Sequence, residues 1–205
     1  MRATCVLALF LAFLSLSGCV SETIRADGRA VEEKPASTGP SPLEIAEQKV
    51  RRLIDRLGTV QGGERVQTMQ EIQAYHEIAL GPITEALETA NPEIRGNLVY
   101  ILGAIGGADA HQIVSSRVKD PDPVVRYEAA AALLGFKDWG GVPILIGFLS
   151  DQDRRMRYKS FQALRDFTKQ DLGYDFGGNE EERAAAVSRW SKWWQQRRAE
   201  LVYKS

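Results

Sequence analysis

A motif that returns at a spacing of 31 residues is the feature that most restricts the fold of this chain. It reads Asn-Pro-Glu-Ile-Arg at 91–95, Asp-Pro-Val-Val-Arg at 122–126 and Asp-Arg-Arg-Met-Arg at 153–157. Apolar positions keep the same register, as the sets Leu102, Leu133, Leu164 and Ile83, Val114, Leu145 show. Periods of roughly 20 to 50 residues are typical of stacked supersecondary units that cannot bury their apolar faces alone. The sequence therefore predicts stacked helix pairs.

Each motif has the chemistry of a helix start. Asn91 and Asp122 can accept hydrogen bonds from the free N–H groups of a first turn, and proline at the next position has no N–H to leave unpaired. Alanines after Arg126 allow close helix contact, and Gly103 and Gly135 are predicted to end their helices. Apolar spacing predicts an opening helix from residue 43 to 57, whereas residues 58–80 fit a repeat poorly.

Residues 120–149, DPDPVVRYEAAAALLGFKDWGGVPILIGFL, resemble the short HEAT-like repeat that is also found in phycobilin lyase-type proteins. Residues 91–118 keep part of that pattern, and residues 153–167 keep less of it. The resemblance implies an all-α chain, an α-solenoid of HEAT-like helix pairs, which we assign to residues 43–170. Bilin handling occurs in lyase-type proteins, but no residues here suggest a pigment site.

The C-terminal segment resembles a tail of some bacterial HEAT-repeat proteins, with a Gly-Tyr-Asp turn followed by a Trp-x-x-Trp-Trp helix. Asn179 and Glu182 have the spacing of a reciprocal helix cap. The helix places Trp190, Trp193 and Trp194 on one stripe, so we expect residues 171–205 to cap the last repeat. The alternative is an aromatic and basic surface, with Arg197 and Arg198, that touches a membrane or a ligand.

The N-terminus has the layout of an export signal. Residues 1–18 contain one positive charge and an apolar run shorter than the ~20 residues that span a bilayer. Leu-Ser-Gly-Cys at 16–19 resembles the bacterial lipobox, which implies acylation of Cys19, palmitate among the acyl groups. Residues 19–42, rich in Pro, Gly and Ser, are predicted to be a flexible linker. Val20 instead of Asp after the cysteine slightly favours the outer membrane in Gram-negative cells.

Composition argues against several function classes. The net charge is −1, which gives no electrostatic reason to expect a nucleic-acid partner, since such partners select for a clustered basic surface. The two histidines, His76 and His111, stand in different repeats without metal-ligand spacing, and no nucleophile motif or phosphate loop occurs. We therefore predict no metal, no cofactor and no enzymatic activity.

Three arginines, Arg95, Arg126 and Arg157, recur with the 31-residue motif. We expect each to pair with a carboxylate of its own or the adjacent repeat, Asp122 being the candidate for Arg126; ligand contact is the alternative. The function predicted from these features is a membrane-anchored, non-catalytic scaffold that binds an envelope protein. Two alternatives stay open: an accessory subunit of an envelope assembly or transport machine, and a ligand carrier or enzyme whose site the sequence does not reveal.

Overall fold

The computed structural model describes residues 39–202, and the regular elements in that range are helical. The predicted export signal, Cys19 and nearly all of the predicted linker lie outside the described residues. The helices are α1 (Pro42–Leu57), α2 (Gly62–Gln73), α3 (Leu80–Thr89), α4 (Pro92–Ile105), α5 (Gly107–Arg117), α6 (Pro123–Gly135), α7 (Gly141–Phe148), α8 (Arg154–Thr168) and α9 (Glu180–Val202), with a short 3₁₀ helix (His76–Ala79) before α3. Between residues 39 and 202, no helix combines the length and apolarity that a membrane span requires.

The seven α-helices between residues 62 and 168 alternate between the first and second helices of helix pairs, and the last of them, α8, is a first helix. The first helices of the pairs, α2, α4, α6 and α8, pack side by side in that order. The second helices, α3, α5 and α7, each pack against the first helix of the following pair, α4, α6 and α8. Helix α1 packs against α2 and α3 at one end, and α9 packs against α7 at the other. The predicted all-α solenoid of helix pairs is confirmed.

The recurring helix starts form as the sequence predicts. The side chain of Asn91 accepts a hydrogen bond from the Ile94 N–H at 3.0 Å, and that of Asp122 accepts one from the Val124 N–H at 2.8 Å. Asp153 caps α8 through the Arg155 N–H. The register positions are buried, including Leu98, Leu102, Val114, Ala129, Leu133, Leu145, Ser160 and Leu164. The 31-residue period is therefore the period of the core.

Two predicted element ends differ from the structure. Helix α4 does not end at Gly103 but continues to Ile105, and the next residue, Gly106, has a positive φ of 79°. A Cβ on Gly103 would lie 2.8 Å from the Ala132 side chain, so this glycine allows α4 and α6 to approach closely. The linker was predicted to include Pro42, yet α1 begins there because Ser41 and Glu44 form a reciprocal cap.

Residues 58–80, which fit the repeat poorly, contain α2 and the 3₁₀ helix. Helix α2 begins after Gln61 instead of an Asx-Pro pair, and its side chain makes no capping hydrogen bond. Only Thr68 and Ile72 of this helix are buried, which explains its weak apolar pattern. Even so, α2 occupies the place of a first helix because it packs beside α4, and the 3₁₀ helix connects it to α3.

The buried side chains form two clusters of different chemistry. The first, which we call the aliphatic cluster, runs from Val50 to Leu133 and consists of Val, Leu, Ile and Ala. The second, the aromatic cluster, runs from Ala130 to Trp190 and includes Phe148, Phe161, Tyr174 and Trp190. The boundary between them falls within α6.

Candidate functional site

The recurring arginines all make the same local contact. Each donates to the backbone carbonyl five residues earlier: Arg95 to Ala90 at 2.9 Å, Arg126 to Pro121 at 2.8 Å and Arg157 to Gln152 at 2.9 Å. An arginine at the fourth position after an N-cap reaches back over the first turn to the loop that enters the helix. The contact therefore fixes the loop between two pairs, and we call the set the arginine ladder.

The structure adds two members to the ladder that the sequence pattern did not reveal. Arg65 donates to the Val60 carbonyl at 3.0 Å, and Arg183 donates to the Gly178 carbonyl. These arginines stand 30 residues before Arg95 and 26 residues after Arg157, so a strict 31-residue search misses them. The signal that could have found them is the position of each arginine four residues after its N-cap.

Most ladder arginines also contact a later part of the stack. Arg95 forms a bidentate pair with the Asp120 carboxylate at 2.7 and 2.9 Å, Arg65 pairs with Glu93, Arg126 lies over the Phe148 ring and Arg157 donates to the Phe176 carbonyl. Because the Arg95 guanidinium is so close, the pKa of Asp120 is lowered. The guanidinium groups thus hold successive units together.

The predicted carboxylate partners are found for one of the three arginines named from the sequence. Arg95 pairs with Asp120, but Arg126 and Arg157 donate to carbonyl oxygens. The proposed pair of Arg126 with Asp122 is wrong because the Asp122 carboxylate accepts the Val124 and Val125 N–H groups at the start of α6. With their N–H groups directed to internal acceptors, these arginines contribute to the stack and not to an open site.

The tryptophans of α9 lie against α7 and the loop before it. Trp190 is completely buried, while Trp193 and Trp194 are half-buried beside Trp139. The ring of Trp194 stacks on Trp139 at 6.3 Å between centroids. Trp139 was not singled out from the sequence, since it lies in a turn outside the repeat register. These contacts are those expected of a helix that covers the end of the core.

The two neighbouring arginines of α9, Arg197 and Arg198, differ in their surroundings. The Arg197 guanidinium lies 5.0 Å from the centre of the Trp139 ring and pairs with Glu200 at 2.8 Å. Arg198 is exposed.

The turn before α9 is fixed by buried Tyr174. The Tyr174 hydroxyl donates to the Leu149 carbonyl, and burial raises the pKa of Tyr174. Packing within the fold therefore accounts for most of the residues that could form the aromatic and basic surface.

An open groove crosses the first helices and is not filled by the fold. It consists of two adjoining cavities, about 280 and 370 Å³ in volume, that share Tyr100 and Glu128. Along α4 and α6 the floor of the groove consists of glycine and alanine, whose small size leaves space between the larger side chains. The remaining lining residues are Val66, Met69, Gln70, Gln73, Gly96, Asn97, Ile101, Gly103, Ala104, Tyr127, Ala131, Ala132 and Gly135.

Large apolar side chains stand exposed along this side of the stack. Val66 on α2, Tyr100 on α4 and Val124 on α6 are 54%, 57% and 45% exposed, and Tyr158 on α8 is 44% exposed. Val124 borders the groove because its Cγ1 lies 3.6 Å from the position of a Cβ on Gly96. Apolar surface repeated on successive helices is typical of an interaction site.

Three polar side chains that line the groove, Glu128, Tyr127 and Asn97, have unusual surroundings. Burial raises the pKa of Glu128, although Lys159 opposes the shift. Burial, and then the charge of Glu128, raises the pKa of Tyr127 to about 12. The buried Nδ2 of Asn97 has no hydrogen-bond acceptor among residues 39–202. Asn97, Glu128 and Lys159 share one register position, but their chemistry changes from repeat to repeat, so periodicity did not mark them.

Metal-ligand chemistry does not appear in the part of the chain that the structure describes, where no cluster of three or more His, Cys, Asp or Glu side chains could hold an ion. The stacked pairs and the ladder define an α-solenoid. A family model of HEAT repeats matches residues 65–133 and again residues 112–200, and the chain belongs to the HEAT-repeat family. The second match includes α9. A search of curated proteins gives no significant match.

Proposed function

We propose that this helical-repeat scaffold is a membrane-anchored, non-catalytic protein of the bacterial cell envelope that binds a partner protein through the groove on α2, α4 and α6. The observation that carries the proposal is the row of half-exposed apolar side chains beside that groove, Val66, Tyr100 and Val124. Folding leaves this surface uncovered while it buries the corresponding apolar positions on the other side of the same helices.

Several properties of the groove favour a protein over a compact small molecule. It is open and elongated across three helices instead of enclosed, and its walls combine aliphatic carbons with a half-exposed tyrosine, Tyr100. Tyrosine is enriched among the residues that dominate protein–protein binding energy. Stacks of helix pairs offer extended binding surfaces of this kind.

The anchor part of the proposal is supported by the sequence alone. Acylation of Cys19 would place the lipid 22 residues before the Ser41 cap of α1. A flexible segment of that length has a root-mean-square reach of roughly 25 Å. The helical stack would therefore stay close to the membrane surface, on the exported side, where its partner is an envelope protein.

Site-specific photocrosslinking in intact cells tests the binding surface. A photoreactive amino acid at Tyr100 is expected to give a discrete crosslinked product that mass spectrometry identifies as an envelope protein. The matched control is the same amino acid at Gln112, an exposed position on α5. Equal crosslinking from both positions, or none from Tyr100, would contradict the proposed surface. One stoichiometric co-purifying partner would identify the chain as an accessory subunit.

The anchor is tested separately. Metabolic labelling with an alkyne fatty acid should label the wild-type chain, and Cys19→Ser should abolish the label and release the chain from the membrane fraction. Cys5→Ser is the control, because Cys5 lies inside the predicted export signal and should leave labelling unchanged. Retention of label in Cys19→Ser would exclude Cys19 as the acylation site.

A further inference from the structure

We infer that the groove accepts a segment of the partner protein that presents a lysine or arginine flanked by apolar side chains, with the cation against Glu128. This inference rests on the proposed function, since it specifies the chemistry of the partner at the same site. It is carried by the charge of the groove, its unpaired polar groups and its apolar borders.

Among residues 39–202, Glu128 is the only charged side chain that lines the two cavities. Within residues 39–202, no hydrogen bond or ion pair within 4.0 Å joins its carboxylate to another side chain. The cation whose charge acts on it, Lys159, has its ammonium 5.4 Å from the centre of the Tyr127 ring. The carboxylate is half-buried, which is unfavourable without a partner and favours a cation delivered by a ligand.

Asn97 supplies the second polar requirement. It lies one repeat before Glu128 in the same register, and its buried Nδ2 donor has no acceptor within the described residues. A backbone carbonyl of a bound segment would satisfy this donor. A donor on α4 and an acceptor on α6 thus suit a peptide that crosses both helices.

The apolar borders define what flanks the cation. Tyr100 stands between the two cavities, Val66 and Val124 border one of them, and Ala131 and Ala132 form the floor of the other. A segment with apolar side chains on either side of its basic residue would cover these surfaces. A free metal ion or a small amine would leave them exposed, so the commitment is to a peptide segment.

Selection from a random peptide library provides the test. The full chain, purified in detergent, is immobilised, and the enriched peptides are sequenced. We expect enrichment of Lys or Arg with apolar neighbours. An enriched peptide, labelled with a fluorophore, should lose at least about tenfold in affinity when Glu128→Gln replaces the wild type or when its cation is replaced by norleucine. Glu77→Gln, an exposed control outside the groove, should bind as the wild type does.

Combining both changes gives a cycle that a folding defect cannot imitate. If the cation contacts Glu128, the norleucine peptide should bind wild-type and Glu128→Gln protein with equal affinity, within about twofold. Thermal melting of Glu128→Gln verifies that the variant is folded. Selected peptides without basic residues, unchanged affinity in Glu128→Gln, or additive losses in the cycle would overturn the inference, as would self-association of the chain that depends on Glu128.

Failure of this inference is distinguishable from failure of the proposed function. If Tyr100 still crosslinks an envelope protein in cells that carry Glu128→Gln, with undiminished yield, then the scaffold function stands and the cation preference is wrong. If Tyr100 crosslinks nothing in wild-type cells, the proposed binding surface itself is wrong.

Discussion

The two clusters of buried side chains differ in the types of residue that fill them. The aliphatic cluster, between α1 and α6, is filled with Val, Leu, Ile and Ala, and most of the helices that supply them have neighbours on both sides. The aromatic cluster, between α6 and α9, combines aliphatic side chains with Phe, Tyr and Trp, and the largest of its aromatic residues, Trp190, comes from α9. A unit inside a stack is covered by the next unit, but the last unit is not.

The comparison shows how the end of the stack is completed. Helix α9 buries only Ala186 and Trp190 completely, so it covers a large area with few residues. An indole brings more apolar surface per residue than any aliphatic side chain. We therefore expect single substitutions at the end of the stack to have effects as large as those in the middle, provided that they change the aromatic residues.

The largest expected effect comes from Trp190→Ala. Removing a completely buried indole should cost about 4 kcal/mol in the free energy of unfolding, through lost burial and the cavity left behind. Denaturant titration followed by circular dichroism measures the loss. Trp194→Ala, at a half-buried position, should cost clearly less. Equal and small losses would contradict the view that Trp190 is central to the aromatic cluster.

Asp120→Ala should have the next largest effect on stability, in the part of the chain that contains the aliphatic cluster. The variant leaves the Arg95 guanidinium, whose side chain is 15% exposed, without its carboxylate, and we expect a loss of about 3 kcal/mol in the free energy of unfolding. Glu85→Ala, which removes the exposed partner of Arg51, should change stability by less than about 1 kcal/mol. Similar values for both variants in urea titrations would show that burial of the Arg95 pair is unimportant.

Two glycines of α7 provide a third test. A Cβ on Gly141 would lie 2.3 Å from the Ala130 carbonyl oxygen, so Gly141→Ala should destabilise the contact between α6 and α7 by about 2 kcal/mol. Gly147, in the same helix, has open space around it, and Gly147→Ala should stabilise the chain by about 0.5 kcal/mol. Thermal unfolding of the two variants should therefore shift in opposite directions.

The smallest expected effect is a pH dependence of stability, confined to the part of the chain that contains the aliphatic cluster. Because Arg95 holds the pKa of Asp120 below its ordinary value of 3.8, the pair contributes its full stability above that value and loses it as the pH falls through the lowered pKa. The loss should be smaller than that of Asp120→Ala. Hydrogen exchange near pH 3 should show earlier opening around Arg95 than around Arg157, which donates to carbonyl oxygens that do not titrate. Asp120→Asn should remove the pH dependence of opening around Arg95, because the amide does not titrate.

The sequence predicted those parts of the fold that depend on a repeated residue type. The caps of α4, α6 and α8 and the buried register follow from Asx residues and leucines at a fixed spacing. Helix α2 was missed because Gln61 and two glycines replace the Asx-Pro start, and Arg65 was missed with it. Packing between α4 and α6 was also hidden, since Gly103 has the appearance of a helix end but serves as a contact.

The groove could not be predicted for a different reason. It exists because small residues on α4 and α6 leave space between larger ones, and space has no sequence signature of its own. Its polar residues, Asn97 and Glu128, share a register position but not a chemistry. Only the structure shows that they face one cavity and that nothing in the described stack satisfies the Asn97 donor.

The arginine ladder has a consequence for how such a chain changes length. Arg126 finds two carbonyl acceptors at Asp120 and Pro121 and a ring at Phe148, all within residues 120–150. A tandem duplication of that segment would carry its own helix cap, its own loop contact and its own apolar register. Internal duplication of this segment would thus lengthen the groove by one repeat, because the new repeat brings the residues with which it packs. The number of repeats is therefore expected to change readily during the evolution of such a chain.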